Sequence, residues 1–117
     1  PVVYSDSKYQ LREYISVDDV CRVIASLIGG DHTPGSYNVS SGIVKSPEQV
    51  INMIIDATGI DVPLTIVEKP FAFTEIQSQA LSGRKLEQEM GAQFKFTSME
   101  DALAKIWREI QERGYGA

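Results

Sequence analysis

The sequence predicts a mixed α/β fold in which short strands pack with about four helices. Apolar residues recur at spacings of three and four near residues 17–28 and 99–110, as in amphipathic helices. Short runs rich in β-branched residues, as at residues 1–4 and 63–67, indicate strands between the helices. A length of 117 residues allows one modest core, so we expect a single domain over residues 1–117.

Four segments are predicted to be extended. Val2–Tyr4 and Leu11–Ile15 indicate two strands on either side of a polar turn. Tyr37–Ser40 and Pro63–Val67 indicate two more. Residues 69–80 have the least regular pattern, and we expect a surface loop there.

The first predicted helix covers Asp18–Ile28. Its apolar residues form one stripe that we expect to face the core: Val17, Val20, Cys21, Ile24, Leu27 and Ile28. Asp18 and Asp19 lie at its positive N-terminal end, and we expect Asp18 to cap it. Gly29 and Gly30 are predicted to end it in left-handed backbone conformations.

Three further helices have recognisable ends. Residues 46–49, Ser-Pro-Glu-Gln, predict a capping box with proline at the first helical position, and Gly59 ends that helix. A short helix over residues 85–90 ends at Gly91. Thr97 and Glu100 predict a second capping box before the last helix, which ends at Gly114.

Composition excludes several classes of function. Sixteen acidic and 11 basic side chains give a net charge of −5, which argues against nucleic acid as a partner. No apolar run reaches 18 residues, so we expect no membrane partner. A single cysteine excludes a disulfide within the chain and favours a cytoplasmic location. The chain begins at Pro1, so we expect it to be part of a longer protein.

A self-contained catalytic centre is not evident in the sequence. His32, the only histidine, lies in a turn and is interpreted as a surface loop residue. Cys21 lies on an apolar stripe and is interpreted as a small buried side chain. No glycine-rich phosphate loop occurs. We therefore predict no catalytic residue, metal site or cofactor-binding residue in this chain.

Three segments in order resemble one enzyme family. Residues 10–20 read Gln-Leu-Arg-Glu-Tyr-Ile-Ser-Val-Asp-Asp-Val, and residues 37–42 read Tyr-Asn-Val-Ser-Ser-Gly. Residues 81–103 contain Leu-Ser-Gly-Arg-Lys-Leu, Met-Gly and Thr-Ser-Met-Glu-Asp-Ala-Leu. Together they resemble the NAD-dependent epimerase/dehydratase family, the extended short-chain dehydrogenases that act on sugar nucleotides. The resemblance covers nearly the whole chain.

This resemblance implies that the chain is the small C-terminal, substrate-binding domain of such an enzyme, with the Rossmann half absent. In the family, an N-terminal Rossmann domain holds the cofactor and the catalytic residues. NAD or NADP would then be bound in the parent enzyme and not by this fragment, which we expect to be inactive alone. The partners implied are a nucleotide-diphosphate sugar and the missing N-terminal Rossmann domain.

The resemblance also implies the site residues. The family's arginine at the position of Arg12 contacts the diphosphate, for which guanidinium is suited by its charge and its fork of donors. Alternatively, Arg12 is a surface residue paired with Glu13 or Asp18. Gln10 could line the same site.

The sequence departs from the family pattern in its second phosphate-binding segment. The family's Arg-x-Gly-Asp is replaced by residues 69–75, where Lys69 could supply the charge without the bidentate geometry. Phe71 and Phe73 either stack on a base or sugar or anchor the loop. Tyr4 and Lys8 match a Tyr-x-x-x-Lys spacing, but the segment is predicted to be extended and not helical.

Two hypotheses remain open at this stage. The chain is the sugar-nucleotide-binding portion of an NAD(P)-dependent epimerase or dehydratase, or it is a non-catalytic binding or scaffold domain that keeps the same fold. An autonomous small domain is a third, less favoured hypothesis.

Overall fold

The computed structural model describes residues 1–5, 10–68 and 78–114. Within these ranges, four helices and five short strands occur, which confirms the predicted mixed α/β class. The strands are β1 (Val2–Tyr4), β2 (Leu11–Tyr14), β3 (Ile43–Lys45), β4 (Thr65–Val67) and β5 (Ser78–Gln79). The helices are α1 (Val17–Gly29), α2 (Pro47–Thr58), α3 (Arg84–Met90) and α4 (Met99–Arg113).

The described strands form two small sheets. β1 and β4 pair in parallel as a two-stranded sheet. In the other sheet, β2 lies in the centre, antiparallel to β3 and parallel to β5. The central position of β2 makes its side chains neighbours of residues from two distant parts of the chain.

The strand predicted over residues 37–40 is wrong, because the strand in this region is β3, which begins at Ile43. Polar side chains fix the preceding segment instead. The Ser40 hydroxyl donates to the carboxylate of Glu13 at 2.7 Å, and Ser41 donates to the carbonyl of Tyr14. Short polar side chains compete in this way with backbone ladders. Gly42, with φ of 75°, then turns the chain into β3.

The predicted ends of α2 and α4 are largely confirmed. Ser46 accepts from the Gln49 amide at 3.3 Å, and the Gln49 side chain accepts from the Ser46 amide at 2.8 Å, as the capping box requires. Gly59 and Gly114 end α2 and α4 in the left-handed conformation. The cap of α4 is Ser98 rather than the predicted Thr97.

Both ends of α1 differ from the prediction. Its cap is Ser16, whose hydroxyl accepts from the amide of Asp18. Asp18 instead forms an exposed ion pair with Lys105 of α4. At the other end, Gly30 has extended backbone angles and not left-handed ones. A serine one residue ahead of the helix, rather than the first aspartate inside it, therefore satisfies the α1 amides.

Among the acidic residues that the structure describes, Asp19 is fully buried, with 0% of its surface exposed. Its carboxylate accepts from the Thr97 amide at 2.7 Å, from the Thr97 hydroxyl at 2.8 Å and from Arg22 at 3.0 Å. Arg22 also donates to the Lys95 carbonyl and lies 4.5 Å from the centre of the Phe94 ring. Thr97 is thus engaged with α1, which explains why Ser98 takes the cap of α4.

The core among the described residues is small. Its buried apolar side chains are Val3, Val23 and Leu86. The accessible surface is 8242 Å², whereas a compact protein of this mass exposes about 6,300 Å². The radius of gyration is 17.3 Å, against about 13 Å for a compact domain of this length. Many large apolar side chains among the described residues are correspondingly exposed.

The apolar stripe of α1 contributes strongly to this exposed surface. Val17 and Ile28 are 72% and 81% exposed, and Ile24 is also exposed. Cys21 is exposed as well, so the prediction that it is buried is wrong. The buried face of α1 is formed instead by Asp19 and Val23, one turn apart. The spacing predicted the stripe correctly, but four of its six residues are exposed: Val17, Cys21, Ile24 and Ile28.

Candidate functional site

Arg12 lies in the middle of the three-stranded sheet. It is half-buried on β2, directly opposite Lys45 of β3 and Gln79 of β5. Its guanidinium Nη1 donates to the carbonyl of Leu11 at 2.9 Å. Because side chains alternate along a strand, Arg12 shares a face with Tyr14, while Glu13 lies on the other face.

Neither carboxylate proposed as an alternative partner of Arg12 is bonded to it. Glu13 accepts from Ser40, and Asp18 pairs with Lys105. The interpretation of Arg12 as a surface residue paired with one of these two acids is therefore wrong. Glu13 does not pair with Arg12 because consecutive side chains on a strand point to opposite faces of the sheet.

A cleft of about 560 Å³ opens beside this face. Tyr14 and Ile43, which are directly opposed on β2 and β3, line it together with apolar residues of α4. The α4 residues are Met99, Ala102, Leu103 and Ile106. The start of α1 closes another side through Ser16, Val17 and Asp18. Arg12 is thus two residues along the strand from a largely apolar cleft.

The other predicted contact residues are placed only in part. Gln10 is half-buried directly ahead of β2, two residues from Arg12. Lys69, Phe71 and Phe73 lie outside the described residues, as does Lys8. The structure therefore brings Gln10 and Arg12 to one end of β2, and Lys69 stays a prediction.

Two polar contacts hold the His32 ring in place. Its Nδ1 lies 3.2 Å from a carboxylate oxygen of Glu89, and its Nε2 lies 3.2 Å from the carbonyl of Ser26. Hydrogen bonds from Thr33 and His32 hold the pKa of Glu89 below its ordinary value. The histidine is half-buried between α1 and α3, so the prediction of a simple surface residue needs correction.

Lys85 of α3 contacts the segment between α1 and β3, which also contains His32. Its ammonium donates to the Ser36 carbonyl at 2.9 Å and lies 4.4 Å from the centre of the Tyr37 ring.

Across residues 1–5, 10–68 and 78–114, no group of three or more histidine, cysteine or acidic side chains is arranged to hold a metal ion. In the same ranges, no helix is both long and apolar enough to cross a bilayer.

The fold is that of the C-terminal part of the extended short-chain dehydrogenases that act as epimerases and dehydratases. UDP-glucose 4-epimerase of Bifidobacterium longum, solved with NAD⁺ and UDP, superposes with a TM-score of 0.73 at 24% identity. It matches 99% of this chain and 36% of its own. The dTDP-glucose 4,6-dehydratase of Streptomyces venezuelae, solved with NAD, has a TM-score of 0.72 at 27% identity, covering 97% of this chain and 35% of its own.

Similar proteins are found by sequence as well. A putative UDP-arabinose 4-epimerase of Arabidopsis thaliana is 27% identical over 112 residues, which are 92% of this chain. The chain spans only 26% of that relative's length. No family model matches the chain. The relatives in sequence and structure nevertheless confirm the predicted resemblance to the NAD-dependent epimerases and dehydratases.

Proposed function

We propose that residues 1–117 act as one unit, the sugar-nucleotide-binding portion of an NAD(P)-dependent epimerase or dehydratase. The observation that carries the proposal is the position of Arg12, half-buried on the central strand of the sheet and two residues from the cleft-lining Tyr14. The similar epimerase of B. longum contains UDP, which supports a nucleotide diphosphate as the ligand class.

In this proposal, the chain binds and orients the substrate and performs no chemistry. The guanidinium of Arg12 meets the diphosphate, since its planar fork suits two phosphate oxygens at once. Gln10 and Lys69 are proposed as further contacts. NAD or NADP, bound by the parent enzyme and not by this chain, supplies reversible oxidation of a sugar hydroxyl. The parent enzyme is proposed to act in the cytoplasm.

The partner that completes this unit is proposed to be an N-terminal dinucleotide-binding domain. Parallel sheets are almost always covered on both faces, yet in β1 and β4 the side chains of Val2, Tyr4 and Ile66 are exposed. The stripe of Val17, Ile24 and Ile28 on α1 is uncovered too. A domain that continues the β1–β4 sheet and packs on α1 accounts for both surfaces.

The binding role is tested by titrating the ¹⁵N-labelled chain with UDP and following amide shifts by NMR, which detects weak binding. We expect the largest shifts in residues 10–14 and their neighbours, and their loss in Arg12→Met. Arg108→Met, an exposed arginine of α4, is the matched control. Equal shifts in wild type and Arg12→Met would contradict the proposal.

The proposal that this chain performs no chemistry by itself has its own test. The chain is incubated with a panel of nucleotide sugars and NAD or NADP, and epimerised or dehydrated product is measured. We expect no turnover. Product formation above the buffer control would show that catalytic residues lie within the 117 residues.

A non-catalytic scaffold that keeps the fold is the second candidate. It is favoured by the replacement of the family's Arg-x-Gly-Asp segment by residues 69–75. The gene sequence upstream of Pro1 separates the two candidates. A glycine-rich dinucleotide loop and a helical Tyr-x-x-x-Lys there support the enzyme, and their loss supports the scaffold.

A further inference from the structure

The structure places a second basic residue directly beside Arg12. Lys45 is the last residue of β3 and is the cross-strand partner of Arg12 on β2. Gln79 of β5 is the partner of Arg12 on the other side. We propose that Lys45 is a second phosphate-binding residue and that Gln79 extends the same site, an inference that rests on the proposed function of Arg12.

The register puts the three side chains in one row. Directly opposed residues in a sheet project to the same face, with Cβ atoms about 4.5–5.5 Å apart. Neighbouring strands are about 4.8 Å apart, so the row of Lys45, Arg12 and Gln79 extends roughly 10 Å across the sheet. That length accommodates two linked phosphate groups with donors on both sides of them.

The electrostatics of the row favour an anion. Arg12 and Lys45 are directly opposed, and like charges in that arrangement generally destabilise a sheet. Among the described residues, no carboxylate lies within ion-pair distance of the Lys45 ammonium. Glu13 is on the other face of β2 and accepts from Ser40. An anion bound between the two cations removes their repulsion.

Two further features support a site at Lys45. The residue borders a cleft of about 330 Å³ that Ser98, Met99 and Glu100 of the α4 start also line. In addition, α2 begins at Pro47, so the positive end of its dipole is two residues away. A compact ammonium and a planar guanidinium are complementary here, the first as a mobile point charge and the second as a fixed fork.

The test compares Lys45→Met, Arg12→Met and, as matched control, Lys95→Met, because Lys95 is an exposed lysine outside the three-stranded sheet. Methionine keeps most of the aliphatic stem and removes the charge. Dissociation constants for inorganic pyrophosphate and UDP are measured at low salt by NMR titration, and melting temperatures are measured without ligand. We expect Lys45→Met to weaken pyrophosphate binding about tenfold and to raise the ligand-free melting temperature.

Weaker pyrophosphate binding together with a higher melting temperature in Lys45→Met distinguishes a binding role of Lys45 from a structural one, since loss of a structural lysine would lower the melting temperature. Unchanged affinity in Lys45→Met, with binding lost in Arg12→Met, overturns this inference and leaves the proposed function standing. A wild-type chain that binds neither probe overturns both. Gln79→Glu, at an exposed position, should also weaken pyrophosphate binding, and wild-type affinity would remove Gln79 from the site.

Discussion

Asp19 and Asp18 are adjacent aspartates for which the structure predicts very different contributions to stability. Asp19 is fully buried and accepts three hydrogen bonds of 2.7 to 3.0 Å from Thr97 and Arg22. A hydrogen bond to a charged group contributes about 1.5–3 kcal/mol, and removing one partner of a buried ion pair costs about 3–5 kcal/mol. Arg22 is half-exposed, so solvent screening reduces the contribution of its ion pair with Asp19. We expect Asp19→Asn to cost about 3 kcal/mol and Asp19→Ala somewhat more.

The matched control is Asp18→Asn, the same substitution one residue earlier. Asp18 and Lys105 are both about half-exposed, so the loss of that ion pair should cost less than about 1 kcal/mol. Urea unfolding, followed by far-ultraviolet circular dichroism, gives both values as shifts of the midpoint at unchanged slope. Equal losses in the two variants would refute the assignment of Asp19 as the buried link between α1 and the start of α4.

The lowered pKa of Asp19 predicts that the stability lost in Asp19→Asn depends on pH. Burial by itself raises the pKa of Asp19, but the hydrogen bonds from Thr97 and Arg22 outweigh it and hold the pKa below its ordinary value of 3.8. A depressed carboxyl pKa stabilises the fold above the unfolded pKa and loses that contribution as the pH falls through the folded one. The stability difference between wild type and Asp19→Asn should therefore be constant above about pH 5 and shrink below about pH 4.

Three further predictions concern other parts of the fold. Ser46→Ala removes the cap of α2 and should lower the free energy of unfolding by about 1 kcal/mol in urea titration, with no effect meaning that the capping box is dispensable. The pKa of Glu89 is lowered by hydrogen bonds from Thr33 and His32, so any stability lost in Glu89→Gln should appear above about pH 4.5 and disappear under acid. A loss that grows as the pH falls would contradict a stabilising role of these hydrogen bonds. Ile28→Gln, at an 81% exposed position, should change stability by less than about 0.5 kcal/mol yet weaken association with a dinucleotide-binding domain in light scattering.

Local sequence signals predicted the elements well wherever the deciding contacts are local. The capping box at Ser46 and Gln49 and the left-handed ends at Gly59 and Gly114 each involve residues within four positions of each other. Hydrophobic spacing predicted most of the order of strands and helices, but it placed one strand too early at residues 37–40 and missed β5, which lies within the predicted loop over residues 69–80. The family resemblance, carried by residues 10–20 above all, predicted Arg12 as a diphosphate-binding residue.

Tertiary structure decided which residues meet. The bond between Asp19 and Thr97 joins positions 78 residues apart, and no local pattern distinguishes that aspartate from its neighbour. The register that sets Arg12 between Lys45 and Gln79 likewise depends on pairing between distant strands. Hydrophobic spacing located the stripe on α1 but could not say that Cys21 and Ile28 lie uncovered, since spacing fixes which residues share a face and only packing fixes what covers it.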